Sequence, residues 1–244
     1  MSRQFKIIFL FFIFIAFSVF SRTAGKGGVN GNGLRFGFGP ALGFYTINTN
    51  HAQSPSARMS ALIGLKKEIR CDRSHKLHFL FGAEYLFHGI NFKSYYFDQD
   101  TLQLYDKTFS YDYSLFLQEI DIPLQMKFSF NRENNTLFSP YMMLGYHVRC
   151  LLPVTVRVAA NGNEVHKGNE DLLFRHKMFN NRINSFVSLT AGWQKNTINN
   201  SKAGFYVELN YRYGFSQYYF KTDYAASSLY MNGSHLSLQL GLKF

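Results

Sequence analysis

Charge is scarce in this sequence, and so is cysteine. Only 17% of the 244 residues are charged, and 26 basic plus 15 acidic residues are outnumbered by 27 phenylalanines, 16 tyrosines and one tryptophan. An ordinary soluble domain has about 25% charged residues. A chain this rich in apolar side chains can bury a core, which excludes wholesale disorder. Long apolar runs are missing too. After residue 21 none approaches the ~20 residues that a spanning helix needs, and the mean hydropathy is only −0.15, which argues against a polytopic helical membrane protein. No helix-turn-helix pattern, zinc-finger spacing or basic–aromatic recognition motif is present, so nucleic acid is not an expected partner. Nor is there an H-E-x-x-H, G-x-S-x-G or Walker signature. The run from Gly37 to Gly43 has the wrong glycine spacing for a dinucleotide fingerprint.

What is present starts with export. Arg3 and Lys6 precede an unbroken apolar run over residues 7–20, too short to span and of the right form for a secretory signal peptide. Cleavage is expected after Ser21, or as late as Gly25, leaving 22–244 as one domain. No cysteine lies near that junction, so a lipoprotein signal is excluded. Removing residues 1–21 leaves 24 basic against 15 acidic residues, a net charge of +9, suited to lipid phosphates or acidic polymers.

Beyond the leader the dominant signal has period two. In 235–244, Leu236, Leu238, Leu240, Leu242 and Phe244 share one face, while Ser237, Gln239, Gly241 and Lys243 share the other. Seven earlier segments behave alike: 34–47, 57–67, 77–88, 113–130, 137–150, 185–195 and 204–215. Strict alternation marks strands with one apolar side. The connections 89–112, 151–184 and 216–234 are long and alternate with short ones such as 131–136 and 196–203. Glycines (Gly37, Gly39, Gly43, Gly64, Gly82, Gly145, Gly192, Gly214, Gly241) fall mostly on the polar face, where a narrow barrel interior needs room for bulky neighbours. These features predict an all-β fold: an eight-stranded antiparallel transmembrane β-barrel of the cell outer membrane, with four extracellular loops. Phe44, Tyr45, Phe87, Tyr111, Tyr113, Phe128, Phe130, Tyr146, Trp193, Tyr213 and Phe215 lie near strand ends and are expected in the interfacial girdles.

The polar face then lines a filled lumen. Glu84, Glu119, Asp121 and Glu208 face it with Arg35, Lys127, Arg149 and Arg212, four acids and four bases expected to pair, because a buried unpaired charge costs several kcal/mol. Paired carboxylates such as Glu119 and Asp121 can serve as acid and base, but structural pairing is the stronger reading. His75 and His78 lack further ligands at metal spacing, and His166 and His176 sit among Glu164, Glu170 and Asp171 in a loop. Ser110, His88 and Asp112 form only a weak outer-rim constellation. The expectation is no catalytic, cofactor or metal site. Cys71 and Cys150 fall at opposite rims, about 25 Å apart across the apolar band, so no disulfide joins them within one chain.

Some strands carry a further likeness. Leu117-Gln-Glu-Ile-Asp-Ile-Pro-Leu-Gln-Met-Lys127 resembles the "LEIPLLLKY"-like strand of PorT-type outer-membrane barrels of Bacteroidetes, and Phe138-Ser-Pro-Tyr-Met-Met-Leu-Gly145 resembles that family's "PYVxxG" strand. The segment 205–214 and the ending 236–244 fit as well. The resemblance implies an accessory part in type IX secretion, with other secretion proteins as partners and C-terminal-domain cargo such as gingipain-type proteases as the exported material. A filled eight-stranded lumen could not itself pass a folded protease. A small OmpX-like surface barrel, touching lipopolysaccharide or host surfaces through loop 151–184, is the alternative.

Overall fold

The computed structural model describes residues 33–47, 56–57, 59–74, 76–95, 110–130, 138–152, 154–160, 162–170, 173–175, 183–195, 203–220 and 229–244. The expected signal peptide lies outside them. Alternation makes strands: β1 (Gly33–Ile47), β2 (Ser56–Ala57), β3 (Met59–Arg70), β4 (Leu77–Tyr95), β5 (Ser110–Ser129), β6 (Ser139–Leu151), β7 (Val154–Ala160), β8 (Asn163–Glu170), β9 (Leu173–Arg175), β10 (Ile183–Lys195), β11 (Gly204–Phe220) and β12 (Leu229–Lys243). Eight of them, β1, β3, β4, β5, β6, β10, β11 and β12, pair antiparallel in a ring. It closes where β1 meets β12, with Phe36 opposite Leu242 and Gly37 opposite Gly241. Reciprocal backbone bonds between Leu34 and Phe244 (2.9 and 2.8 Å) tie the last residue into the seam. All eight strands expected from period two are present, and no sheet edge is left in the ring.

The distribution of polarity is inside-out. Leu144, Trp193, Leu209 and Phe38 are 58%, 52%, 47% and 55% exposed on the outer wall, whereas Arg149, Lys127, Glu119 and Gln239 are fully buried within. No aqueous protein tolerates so large an apolar surface; lipid does. On β5 the outward face from Phe116 to Phe128, apolar except for Gln118, spans roughly 28 Å of membrane normal at 3.3 Å per residue and a 45° tilt. That matches the ~25 Å apolar band of outer-membrane barrels.

Above that band the polarity inverts. Ile90, Phe92, Tyr113, Leu115, Leu117, Leu151, Val156 and Val158 turn inward and cluster with Tyr45 across the lumen. Asp112 and Arg157 face water. Several segments expected as outer loops are therefore strand: β4 continues to Tyr95, β5 begins at Ser110, β11 reaches Phe220 and β12 begins at Leu229. The long connection 151–184 is no bare loop either. β7 continues the line of β6 alongside β5, folds back as β8, and β9 pairs with β11. The two-residue turn of that hairpin includes Gly162 at φ +82°, a left-handed position that favours glycine.

The same inversion corrects the girdle. Tyr45 and Tyr113 are buried and Tyr111 packs on the inner cluster, so none of the three meets lipid. Phe44, Phe87, Phe128, Phe130, Tyr146, Trp193, Tyr213 and Phe215 do face outward. Most inward glycines make room as expected: a Cβ on Gly192 would lie 2.5 Å from the Tyr141 ring, and one on Gly37 2.4 Å from the Tyr206 hydroxyl. Gly39 and Gly82 differ. Each would strike backbone of the adjoining strand, at Leu238 and Leu65 respectively.

Candidate functional site: a sealed polar lumen

Inward-facing positions of β1, β3, β4, β5, β6 and β11 bring together the groups that carry charge. Among the described residues, five cations (Arg35, Lys66, Lys127, Arg149, Arg212) and five carboxylates (Glu68, Glu84, Glu119, Asp121, Glu208) are buried to 2% exposure or less. The balance is five against five rather than four against four. Lys66 and Glu68 belong to β3, which runs three residues past the segment expected from sequence. Both follow the same parity as Gly64: Lys66 lies on the inward face of the expected segment 57–67, and extending the alternation by one residue reaches Glu68.

The ions form continuous chains. Near the short-turn end, Lys127 Nζ lies 2.5 Å from Glu68, which Lys243 also reaches at 3.3 Å from the mouth. Arg35 Nη2 lies 2.7 Å from Glu208 and donates at 2.7 Å to the Tyr141 hydroxyl, which in turn donates to Glu208 at 2.7 Å. Lys66 joins Glu208 (3.6 Å) to Glu84 (3.0 Å). In the middle, Arg212 forks between Glu84 (2.6 Å) and Asp121 (2.5 Å), while Arg149 links Asp121 (3.4 Å) to Glu119 (2.8 Å). His147 bridges Asp121 (3.1 Å) and Ser188 (2.7 Å). Two guanidinium groups lie over aromatic faces, Arg35 over Tyr206 at 3.9 Å and Arg149 over Phe186 at 3.8 Å. Such contacts strengthen when desolvated.

Chemically, this arrangement neutralises and fills. Among the described residues, two groups bring three metal-capable side chains within 4.8 Å of one another: His88, Glu119 and His235, and Glu84, Asp121 and His147. In both, guanidinium nitrogens already supply the cation. Arg149 Nη1 lies 2.8 Å from Glu119 and 3.0 Å from His235 Nε2, and Arg212 Nη1 holds Asp121. A divalent ion would have to displace a permanent charge. His88 is hydrogen-bonded to the Tyr45 hydroxyl and lies 3.1 Å from Glu119. The inner apolar cluster covers this end of the network, so the lumen is ionic below and apolar above.

The other candidates scatter. His88 points inward while Asp112 is half-exposed and pairs with Lys93 at 3.6 Å, so these two members of the outer-rim constellation do not converge, and the Ser110 side chain lies outside the described residues. His78 lies inward beside Glu68 at 3.9 Å; Glu164 pairs with Arg157 at 2.9 Å. His75, His176 and Asp171 lie outside the described residues, as do the side chains of His166 and Glu170. Cys71 stands in the β3–β4 turn and Cys150 near the far end of β6 on the outer face, with no disulfide between them. In that turn the Asp72 carboxylate accepts from the Ser74 hydroxyl and from the backbone N–H groups of Leu77 (3.0 Å) and Lys76 (3.1 Å), which holds its pKa down at about 2.

No protein-family model matches the sequence, and no curated protein is similar to it in sequence. Solved structures are similar in fold. The outer membrane protein OprG from Pseudomonas aeruginosa superposes with a TM-score of 0.57 at 10% identity, over 88% of this chain and 96% of that one. Neisserial surface protein A gives 0.43 at 11% identity, over 88% and 96%. Ail of Yersinia pestis, solved with the heparin analogue sucrose octasulfate, gives 0.34 at 12% identity, over 87% and 99%. The chain has the fold of the outer-membrane β-barrels: a closed eight-stranded antiparallel ring with an apolar outer wall.

Proposed function

We propose that this barrel is a PorT-type accessory component of type IX secretion, needed for export and maturation of C-terminal-domain cargo such as gingipain-type proteases. The secretion part rests on the strand motifs in 117–127 and 138–145. The observation that carries "accessory" is the sealed lumen: ten buried, mutually paired charges under an apolar cap leave no path for a polypeptide. Its contribution must be made by outer loops, short turns or the barrel wall against other secretion proteins. In this reading the first 21 residues, or as many as 25, are removed on export. The chain needs no cofactor or metal and has no catalytic role.

The alternative is a small surface barrel for adhesion, lipopolysaccharide contact or envelope stability. It draws support from the outer wall, where β4, β5, β7 and β8 rise past the belt and present Lys93, Asp112, Arg157 and Glu164 to water. A clean deletion separates the two. Cargo protease accumulating unprocessed in the periplasm, and restored by complementation, is the result expected of the secretion role. Normal surface proteases would sink it, and loss of adhesion on removing 154–170 with normal export would support the alternative.

A further inference from the structure

The lumen is close to neutral, so the excess positive charge must sit elsewhere, and it is unevenly placed. Among the described residues, Lys67, Arg70, Arg73, Lys76 and Lys195 stand at the short-turn end against Asp72 alone. At the other end Lys93, Arg157 and Lys167 are nearly matched by Asp112 and Glu164. Asp72 is moreover engaged by Ser74 and two backbone N–H groups.

Two of these cations point at lipid. Lys195 follows Trp193 by two residues on the outward face of β10, about 7 Å further along the strand. It is paired with Phe205, whose ring meets Phe138 edge-on at 5.1 Å. Lys67 faces outward on β3 between Leu34 and Phe81. No described carboxylate lies within ion-pair distance of either lysine. In the ring, β3 and β10 are four strands apart either way, on opposite walls. Charges on opposite walls, each with its stem against aromatic or aliphatic neighbours and its ammonium free to reach the headgroups, fit a surrounding leaflet. A single protein partner would be met by a patch on one side.

We propose that the short-turn end of this barrel selects anionic phospholipid headgroups through Lys67 and Lys195, set on opposite walls at the lower part of the apolar belt. The inference is independent of any secretion role.

Trp193 is the only tryptophan in the chain, so its fluorescence reports the lipid beside Lys195. The full-length protein would be reconstituted in bilayers containing brominated phosphatidylglycerol or brominated phosphatidylcholine. Phosphatidylglycerol is expected to be enriched about two- to fivefold at Trp193, falling toward one in high salt and in Lys195→Gln. Lys67→Gln, on the far wall, should leave the Trp193 ratio unchanged but lower the anionic lipid retained in native mass spectrometry. A wild-type ratio of one, or a Lys195→Gln ratio equal to the wild type's, overturns the proposal. Both variants are outward-facing and should keep the heat-modifiable gel mobility of a folded barrel. A variant that loses this mobility would be replaced by the arginine substitution, which must retain the preference.

Discussion

Replacing Arg212 by methionine tests whether the lumen is sealed. Arg212 is 1% exposed and its two terminal nitrogens lie 2.5 Å from Asp121 and 2.6 Å from Glu84. Without it, Glu84 retains Lys66 at 3.0 Å, and Asp121 retains Arg149 at 3.4 Å and His147 at 3.1 Å. Five buried carboxylates then face four buried cations. Removing one partner of a buried ion pair leaves an uncompensated charge and costs about 3–5 kcal/mol. Equilibrium urea unfolding in phospholipid vesicles, followed by Trp193 fluorescence, measures that loss. The double variant Arg212→Met/Glu84→Gln restores the charge count and should cost no more than about 2 kcal/mol, less than the single substitution, because a matched pair can be removed nearly neutrally. A loss under about 1 kcal/mol for Arg212→Met would refute the reasoning, since it would mean that water enters the lumen and screens the charges. A double variant whose cost equals the sum of the two singles would refute it equally.

Other outcomes follow from the same geometry. Gly192→Ala should destabilise by about 1–3 kcal/mol in that assay by pushing Tyr141 off Arg35 and Glu208, while Ala191→Leu on the lipid face should change stability by less than about 0.5 kcal/mol. Asp72 has a folded pKa of about 2 against about 3.9 in an unfolded chain. Its turn is therefore stabilised above pH ~4 and loses that contribution as pH falls toward 2; Asp72→Asn should abolish this part of the pH dependence, read as hydrogen exchange at the Lys76 and Leu77 amides. Cys71 and Cys150 should give one gel mobility with and without reductant, with Cys71 reacting with maleimide in the folded protein; a reductant-dependent shift of the monomer would contradict the placement at opposite ends. Planar bilayers containing the wild-type protein should show no steady ion conductance, and stable open channels would contradict the sealed lumen.

The sequence by itself determined the wall. Strands whose side chains alternate Leu-Ser-Leu-Gln-Leu-Gly-Leu-Lys-Phe have one register in which lipid meets only apolar groups, so all eight ring strands and their lumen faces were legible, Glu119 and Asp121 among them. Legibility ended where the polarity inverted. Past Leu117, Ile90 and Leu151 both the inner cluster and the outer surface depart from the polar-in, apolar-out rule, so periodicity does not reveal the strand extensions, and the strand-end position of Tyr45, Tyr111 and Tyr113 points to lipid although they turn to the inner cluster. The β7–β8 hairpin announced itself only by Asn161-Gly162 between short strands. Which acid meets which base was decided by the tertiary structure alone. Arg212 and Glu84 are 128 residues apart, and Arg35 and Tyr141 are 106 apart. Parity shows that such groups share a lumen, but only the closing of the ring sets which of them come within hydrogen-bond reach.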